Sequence, residues 1–374
     1  LLDAAACSDD ADTSKRLLYM VDFTLAAMSC GGLYDHLGGG FFRYSTDAEW
    51  SIPHFEKMLY DNGPLLSLYA RRARATNAPW FYTVASNTAA WVRREMQTEI
   101  GGLCASLDAD SQGAEGQFYV WTQAAVKSAV GQDYAAFAPR FGLSRAANFE
   151  AQWHLRLAPP QTSLAAPEQD PSADLESARA RLLAAREQRP RPQRDDKVLT
   201  SWNALTIRGL AELGQLAGLA DYLDTATRSV DYLRATHWRD GRLLAASMNG
   251  QAYLNAYLDD YAFLADALLV LLSARWRDSD LVFAIELVEV LLAHFEDRQS
   301  GAFFFTSDDH EQLIVRSKSF ADEATPAGNA VAVRALLELG HLLGEPRYLH
   351  AAERALRAAM GQATRSPSSH ATLM

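Results

Sequence analysis

Cysteine is scarce: Cys7, Cys30 and Cys104 are odd in number and widely spaced over 374 residues, and no C-x-x-C pair occurs. That excludes a disulfide framework and gives no zinc or redox motif, so a reducing, cytoplasmic setting is expected. Long apolar runs are also missing. Residues 264–272 fall far short of the roughly 18–20 needed to span a bilayer, and Asp260 and Arg275 flank them. Positive charge is in deficit, with 35 basic against 46 acidic residues and a net charge of -11. The resulting pI near 5.3 argues against a nucleic-acid backbone or an anionic membrane as partner. No H-E-x-x-H, P-loop, G-x-G-x-x-G or G-x-S-x-G pattern is present, so nucleotide and serine-hydrolase chemistry lack support. Asp308-Asp309-His310-Glu311 reads as a solvated turn, and neither a metal nor a cofactor is expected. The first residues, Leu1-Leu2-Asp3-Ala4, show neither an initiating Met nor a signal pattern and read as an internal start within a longer chain.

What is abundant is helix periodicity in a chain that is 49% hydrophobic. Leu258, Tyr261, Leu264, Leu268 and Leu271 recur at spacings of three and four, as do Leu281, Ile285, Val288, Leu292 and Phe295. Further helices are predicted over 12–29, 54–74, 80–98, 172–188, 199–217, 221–236, 326–343 and 347–360. In the last but one, Thr325 is the expected cap and Pro326 lies in the first turn. Between helices sit Gly31-Gly32-Leu33-Tyr34, Gly101-Gly102-Leu103, Asp240-Gly241-Arg242-Leu243 and Ser300-Gly301-Ala302-Phe303, which look like one device reused. Their starts are 70, 139 and 60 residues apart, so a degenerate copy is expected around residues 116–121. Helix pairs with such a period can close into an all-α (α/α)6 toroid with short β-hairpin inserts, one domain over 1–374. An open solenoid is the competing arrangement. Residues 158–173, with four prolines, read as a surface loop, and 362–374 as a frayed tail.

Chemistry concentrates in Gly31-Gly32-Leu33-Tyr34-Asp35-His36-Leu37-Gly38-Gly39-Gly40-Phe41-Phe42-Arg43-Tyr44 and Pro53-His54-Phe55-Glu56-Lys57-Met58-Leu59-Tyr60-Asp61. Pro53 suits a helix start, which would put His54, Met58 and Asp61 on one face and turn Glu56 elsewhere. His54 or Glu56 is then a candidate acid/base, with Asp61 beside them, and Asp35, His36, Arg43 and Tyr44 are candidate substrate contacts. Asp35, His36 and Asp61 fit equally well as partners of the loop backbone. Acids near other predicted helix starts, Asp108, Asp110 and Asp196 above all, could supply the carboxylate pair of a glycosidase; Asp259-Asp260 and Asp322-Glu323 are similar. Such acids also serve as plain helix caps. Trp202 and Asn203 offer a ring and an amide for a sugar, although Trp202 suits a core as well.

Residues 31–41 and 53–61, Asp-Ala-Asp-Ser at 108–111, Phe-Tyr-Val-Trp-Thr at 118–122 and Asp-Asp-Lys-Val-Leu-Thr-Ser-Trp-Asn at 195–203 closely resemble the family of spermatogenesis-associated protein 20. The match runs from about residue 12 to 343. The resemblance implies a toroid similar to N-acylglucosamine epimerases and six-hairpin glycosidases, preceded in the longer protein by a thioredoxin-like domain. It implies sugar epimerase, isomerase or glycoside hydrolase chemistry; the rival is a noncatalytic module holding a peptide client or other ligand for that domain. His54, Glu56, Asp61, Asp108, Asp110 and Asp196 match the family pattern. Phe42 and Gln193 stand where histidines are usual, Ala204 where glycine is, and Ala327 where serine is.

Overall fold

Helices form largely where apolar spacing predicts them. The computed structural model describes residues 1–157, 173–218, 220–311 and 314–374. Ala11–Cys30 begins at Asp10, whose carboxylate accepts the amides of Asp12 and Thr13. Thr200–Ala217 and Gly328–Leu343 end at Gly218 and Gly344, both left-handed. Pro79 and Pro346 open the helices Pro79–Trp91 and Pro346–Arg365. Two short helices, Gln123–Val130 and Tyr134–Arg140, were not expected.

Several boundaries differ from expectation. The helix expected from residue 54 starts at Leu59, and Pro53–His54 and Lys57–Met58 are two short strands with a bend at Phe55 between them. The helix expected from Pro326 starts at Gly328, and Asp322, not Thr325, accepts the amide of Ala327 at 2.9 Å. Residues 158–172 of the expected surface loop lie outside the described residues, and Ala173 already begins the helix Ala173–Arg186. The tail is tied down rather than frayed: Asp322 donates its amide to Ser369 and accepts that of Thr372, each at 2.8 Å, and His370 is buried.

The described chain divides into two compact units. The first comprises Leu1–Met58, Tyr69–Met96 and Ser106–Asp195; the second comprises Leu59–Leu68, Gln97–Ala105 and Asp196–Met374. In the second, Thr200–Ala217 pairs with Ala220–His237, Leu258–Ala274 with Asp278–Val290, and Gly328–Leu343 with Pro346–Arg365. The first helices of these three hairpins also pack side by side. The middle one, Leu258–Ala274, is therefore buried on nearly every face. Its buried Asp266 accepts from Arg208 and, at 2.6 Å, from Nε of Arg334, so one carboxylate joins all three helices. A small antiparallel sheet pairs Arg242–Met248 with Gln251–Asn255 and with Val198–Leu199. Its hairpin turns on Asn249 and Gly250, both at positive φ.

In the first unit, Lys57–Met58, Ser106–Leu107 and Arg194–Asp195 form an antiparallel sheet with Ser106–Leu107 central. Two further ribbons pair Tyr44–Ser45 with Pro53–His54 and Asp110–Ser111 with Ala114–Glu115. Beneath them lies an aromatic core of Phe42, Phe55, Phe118 and Tyr119. Phe42 packs edge-on against Phe55 and Tyr119, with ring centroids 5.4 and 4.8 Å away. The residue that departs from the family pattern at this position thus belongs to the core.

Of the repeated glycine elements, those at Gly101 and Gly301 share a physical basis, whereas Gly31 and Gly32 do not have positive φ and it is Gly39, later in the same loop, that matches them. Gly39, Gly101 and Gly301 all have positive φ, and each lies under a helix carbonyl of its own unit. A Cβ there would come within 2.3 Å of Asn87 O, 2.7 Å of Arg228 O and 2.6 Å of Arg354 O, respectively. Gly241 is different, because it turns a ribbon in open space. In the second unit, buried Asn203 accepts the Leu103 amide and donates to the Leu103 carbonyl, each at 2.9 Å. Asn329 clamps Phe303 in the same way, at 2.8 and 3.0 Å.

Candidate active site

The Gly31–Gly40 loop of the first unit is held from inside by one ion cluster. Asp35 accepts the amides of Leu37 and Gly38 at 3.0 Å, then Lys57 Nζ at 2.7 Å and Arg186 Nη1 at 2.8 Å. All three charged side chains are buried. Burial alone pushes the Asp35 carboxyl up, yet the charges of Arg186 and Lys57 hold it well below the usual range. The Lys57 ammonium also donates to Gly39 O at 2.8 Å and lies 4.9 Å from the Phe42 ring centroid. Asp35 therefore supports the loop. His36 is also buried, with Nε2 2.9 Å from Gly31 O, and burial brings its pKa down to about 4.

Residues 51–58 alternate strictly between buried and half-buried, as a strand requires. Phe55 and Lys57 point inward, and His54 and Glu56 share the outer face. A helix would have separated these two candidates; the extended backbone brings them together. His54 Nε2 is 3.1 Å from Glu56 Oε2, and His54 Nδ1 is 2.8 Å from Glu115 Oε1. Arg43 Nη1 donates to Glu56 Oε2 at 2.9 Å, and the half-exposed Tyr44 ring stacks on the imidazole at 5.1 Å. A proton on either imidazole nitrogen thus has a carboxylate acceptor within reach. Glu115 escaped sequence reasoning. It follows the two-residue turn Gln112-Gly113, whose positive φ angles place it opposite Asp110 on the ribbon.

Arg43, Tyr44, His54 and Glu56 are therefore clustered. Asp108 and Asp110 are exposed in and beside the strand that pairs with Glu115, and the Asp108 carboxylate accepts the Asp110 amide at 3.2 Å. Asp61, Asp196, Trp202 and Asn203 belong to the second unit. There Asp61 lies in the first turn of Leu59–Thr76, and Asp196 accepts from Cys104 Sγ at 3.5 Å. Trp202 packs edge-on against Tyr60 at 4.6 Å. The Asn203 amide is occupied by the backbone of Leu103 and Leu199, so it positions chain rather than offering itself to a sugar.

The second unit holds a titratable pair of its own. Burial, with the nearby charges of Asp260 and Glu323, raises the Asp259 carboxyl to about 7. Burial also raises Asp260 to about 6, although it accepts the amides of Tyr257 and Ser201 at 2.9 Å. Asp259 lies over Gly328, where a Cβ would meet Oδ1 at 2.0 Å. Among the described residues, His294, Asp308 and Asp309 form a group spaced to hold a cation. However, Asp309 binds the Arg242 guanidinium through both oxygens, and Asp308 binds His294.

The chain is similar to spermatogenesis-associated protein 20. It is 29% identical to the rat protein over 376 residues, covering 90% of this chain and 48% of that protein. The human protein gives the same identity and coverage, and an uncharacterized protein of Caenorhabditis elegans is 29% identical over 96% of the chain. The resemblance first seen in the motifs thus extends along the chain, which spans about half the length of these curated relatives. No family model matches. Among solved structures, a sugar epimerase from a ruminal bacterium superposes with TM-score 0.57 at 10% identity, covering 92% of this chain and 71% of its own. Cellobiose 2-epimerase from Bacillus thermoamylovorans gives 0.56 at 10% identity, covering 92% and 72%. A family 76 glycoside hydrolase from Bacteroides thetaiotaomicron gives 0.52 at 13%, covering 91% and 56%. These likenesses show the fold class to be the (α/α)6 toroid that the helix period predicted. No helix among the described residues is long and apolar enough to cross a membrane.

Proposed function

We propose that the chain is a carbohydrate-active domain that moves a proton on a sugar, with His54 as the acid/base. The observation that carries this reading is the His54 imidazole held between Glu56 and Glu115 under the Tyr44 ring. Arg43 fixes Glu56 and Glu115 holds Nδ1–H, which fixes the ring orientation, and Nε2 serves as the base once the sugar displaces its contact with Glu56. Tyr44 offers an exposed face on which a pyranose can stack. The fold is shared with proteins named as sugar epimerases, which favours a sugar as the ligand.

A single imidazole favours aldose–ketose isomerisation over two-base epimerisation. One base can take the C2 proton of an open-chain aldose and return it to C1 on the same face of the enediol, while a proton passes between the two oxygens. Epimerisation needs a second acid on the opposite face, and two family histidines are replaced here by Phe42 and Gln193. The test is incubation with glucose, mannose and cellobiose in D2O, followed by NMR. Deuterium entering at C1 or C2, and lost in His54→Ala, is the expected result. Absence of exchange together with absence of sugar binding sinks the proposal and favours a noncatalytic module that holds a peptide client for the thioredoxin-like domain.

A hydrolase reading has one specific observation in its favour, the Asp259 carboxyl that keeps its proton near neutral pH. It predicts release of monosaccharide from a disaccharide, abolished by Asp259→Asn and retained in His54→Ala.

A further inference from the structure

The helix Ala11–Cys30 carries more apolar surface than its own unit covers. Leu17, Leu18, Tyr19, Met20, Val21 and Phe23 fall in its middle turns, and none of them is buried. A helix that is apolar on nearly every side belongs under a neighbour. Tyr19, Met20 and Phe23 are 46%, 46% and 44% exposed, and the Tyr19 and Phe23 rings stack at 6.0 Å. With Arg16 before them and Ala27 after, these residues share one face by their spacing of three and four, over roughly 17 Å of helix.

At its Ala27 end this stripe runs into a groove of about 480 Å³, partly open to solvent. Phe23 and Ala27 form one wall, and Trp50 and Leu157 line it too. Trp50 sits at φ 53°, uncommon for a bulky residue, and the Gly32 amide donates to its carbonyl at 2.7 Å, which fixes that wall. The groove is thus a preformed recess for apolar side chains rather than a flat patch.

Arg145 and Arg156 also line the groove. Among the described residues neither guanidinium makes an ion pair or a hydrogen bond, and nor does that of Arg16. Asp47 and Glu49 lie within electrostatic reach of Arg156, but the Asp47 carboxylate accepts the amides of Ser51 and Ile52 at 2.9 and 2.6 Å. The acids of the helix are engaged as well, Asp12 with Lys15 at 3.8 Å and Asp22 with Arg72 at 2.6 Å. The stripe therefore has one cation at its start and two at its end, offset in part by Glu49, in a chain whose net charge is -11.

We propose that this face docks an amphipathic helical segment of a partner protein, apolar along one side and acidic at both ends. Its apolar side chains lie along Tyr19, Met20 and Phe23, with one entering the recess beside Trp50, and its acids meet Arg16 and the Arg145–Arg156 pair. A second copy of this chain is the poorer occupant, because antiparallel packing of two identical stripes brings like charges together at both ends. An anionic bilayer is poorer too, since the whole chain is acidic.

The probe is the fluorescein-labelled peptide EELAQLFAQLEE, titrated into the whole chain and read by anisotropy, with KKLAQLFAQLKK as the charge-reversed control. Saturable binding of the acidic peptide alone is expected, weakening as salt rises from about 50 to about 500 mM. Phe23→Ala, and Arg145→Glu combined with Arg156→Glu, should each lower affinity at least about tenfold. Arg16 is exposed, so Arg16→Glu should weaken binding several-fold without touching the core. The inference is overturned if the acidic peptide does not saturate in the millimolar range, if the basic control binds equally, or if neither Phe23→Ala nor Arg16→Glu weakens binding. Dimerisation abolished by Phe23→Ala would assign the face to a second copy, and binding to equimolar phosphatidylserine–phosphatidylcholine vesicles without binding to the peptide would assign it to a membrane; either result also overturns it.

Discussion

Asp35 illustrates how one carboxylate comes to serve a loop instead of a ligand. It neutralises Lys57 and Arg186, both buried, and caps two loop amides. Asp35→Ala would leave Lys57 and Arg186 with Glu95 but without their hydrogen-bonded counter-charge, and should cost about 3–5 kcal/mol, read as a lower urea midpoint. Lys57→Met should cost less, because Arg186 still neutralises Asp35. Asp35 and His36 were legible in the sequence as loop residues with two possible roles. What chose between the roles was Arg186, 151 positions away, a pairing that no local pattern reveals. Glu115 was hidden for a similar reason, since it meets His54 from 61 positions away.

At the scale of elements, amphipathic helices were the most legible, because burial on one face repeats through every turn. Their ends were readable where Gly218, Gly344, Pro79 or Pro346 imposes a backbone conformation. The stretch 53–58 was misjudged because its inward face includes Lys57. A lysine counts as surface in any hydrophobic pattern, which concealed the period of two. Asn203 and Asn329 were missed as clamps because their partners sit about 100 and 26 residues away. Asn203→Ala should leave both the amide and the carbonyl of Leu103 without their buried partner, at a cost of about 2–3 kcal/mol. Asn203→Asp buries a carboxylate against the carbonyls of Leu103 and Leu199, so it should cost at least as much as the alanine variant. Amide exchange at Leu103 should speed up in the alanine variant.

For the molecule as a whole, buried ionisable groups set the pH profile of stability. Burial lowers His36, His154 and His237 to about 4. Unfolded histidines titrate near 6.5, so the unfolded chain binds more protons between about pH 4 and 6.5. Stability therefore rises with pH across that window, by roughly 1.4 kcal/mol per pH unit for each histidine. Asp259 and Asp260 act in the opposite sense: raised to about 7 and 6, they stabilise the fold below the ordinary carboxylate range and lose that contribution as pH climbs towards 7. Three rising terms against two falling ones predict a urea midpoint that increases modestly from pH 4 to 6, reaches its maximum near 6.5, and then declines slightly. Asp259→Asn removes one falling term, which amounts to as much as about 4 kcal/mol at pH 8 for a carboxyl raised from 3.8 to about 7, so its urea midpoint at pH 8 should exceed that of the parent. At this scale the toroid was legible from the helix period, whereas these opposed titrations depend on burial alone.

The three thiols give each unit a separate clock. Cys7 is exposed, while Cys30 lies fully buried in the first unit and Cys104 fully buried in the second. A thiol-specific alkylating pulse would mark Cys7 at once and the other two only when their own unit opens. Matching rates at Cys30 and Cys104 would mean that the molecule breathes as one cooperative body, and diverging rates would rank the units by how often each exposes its interior.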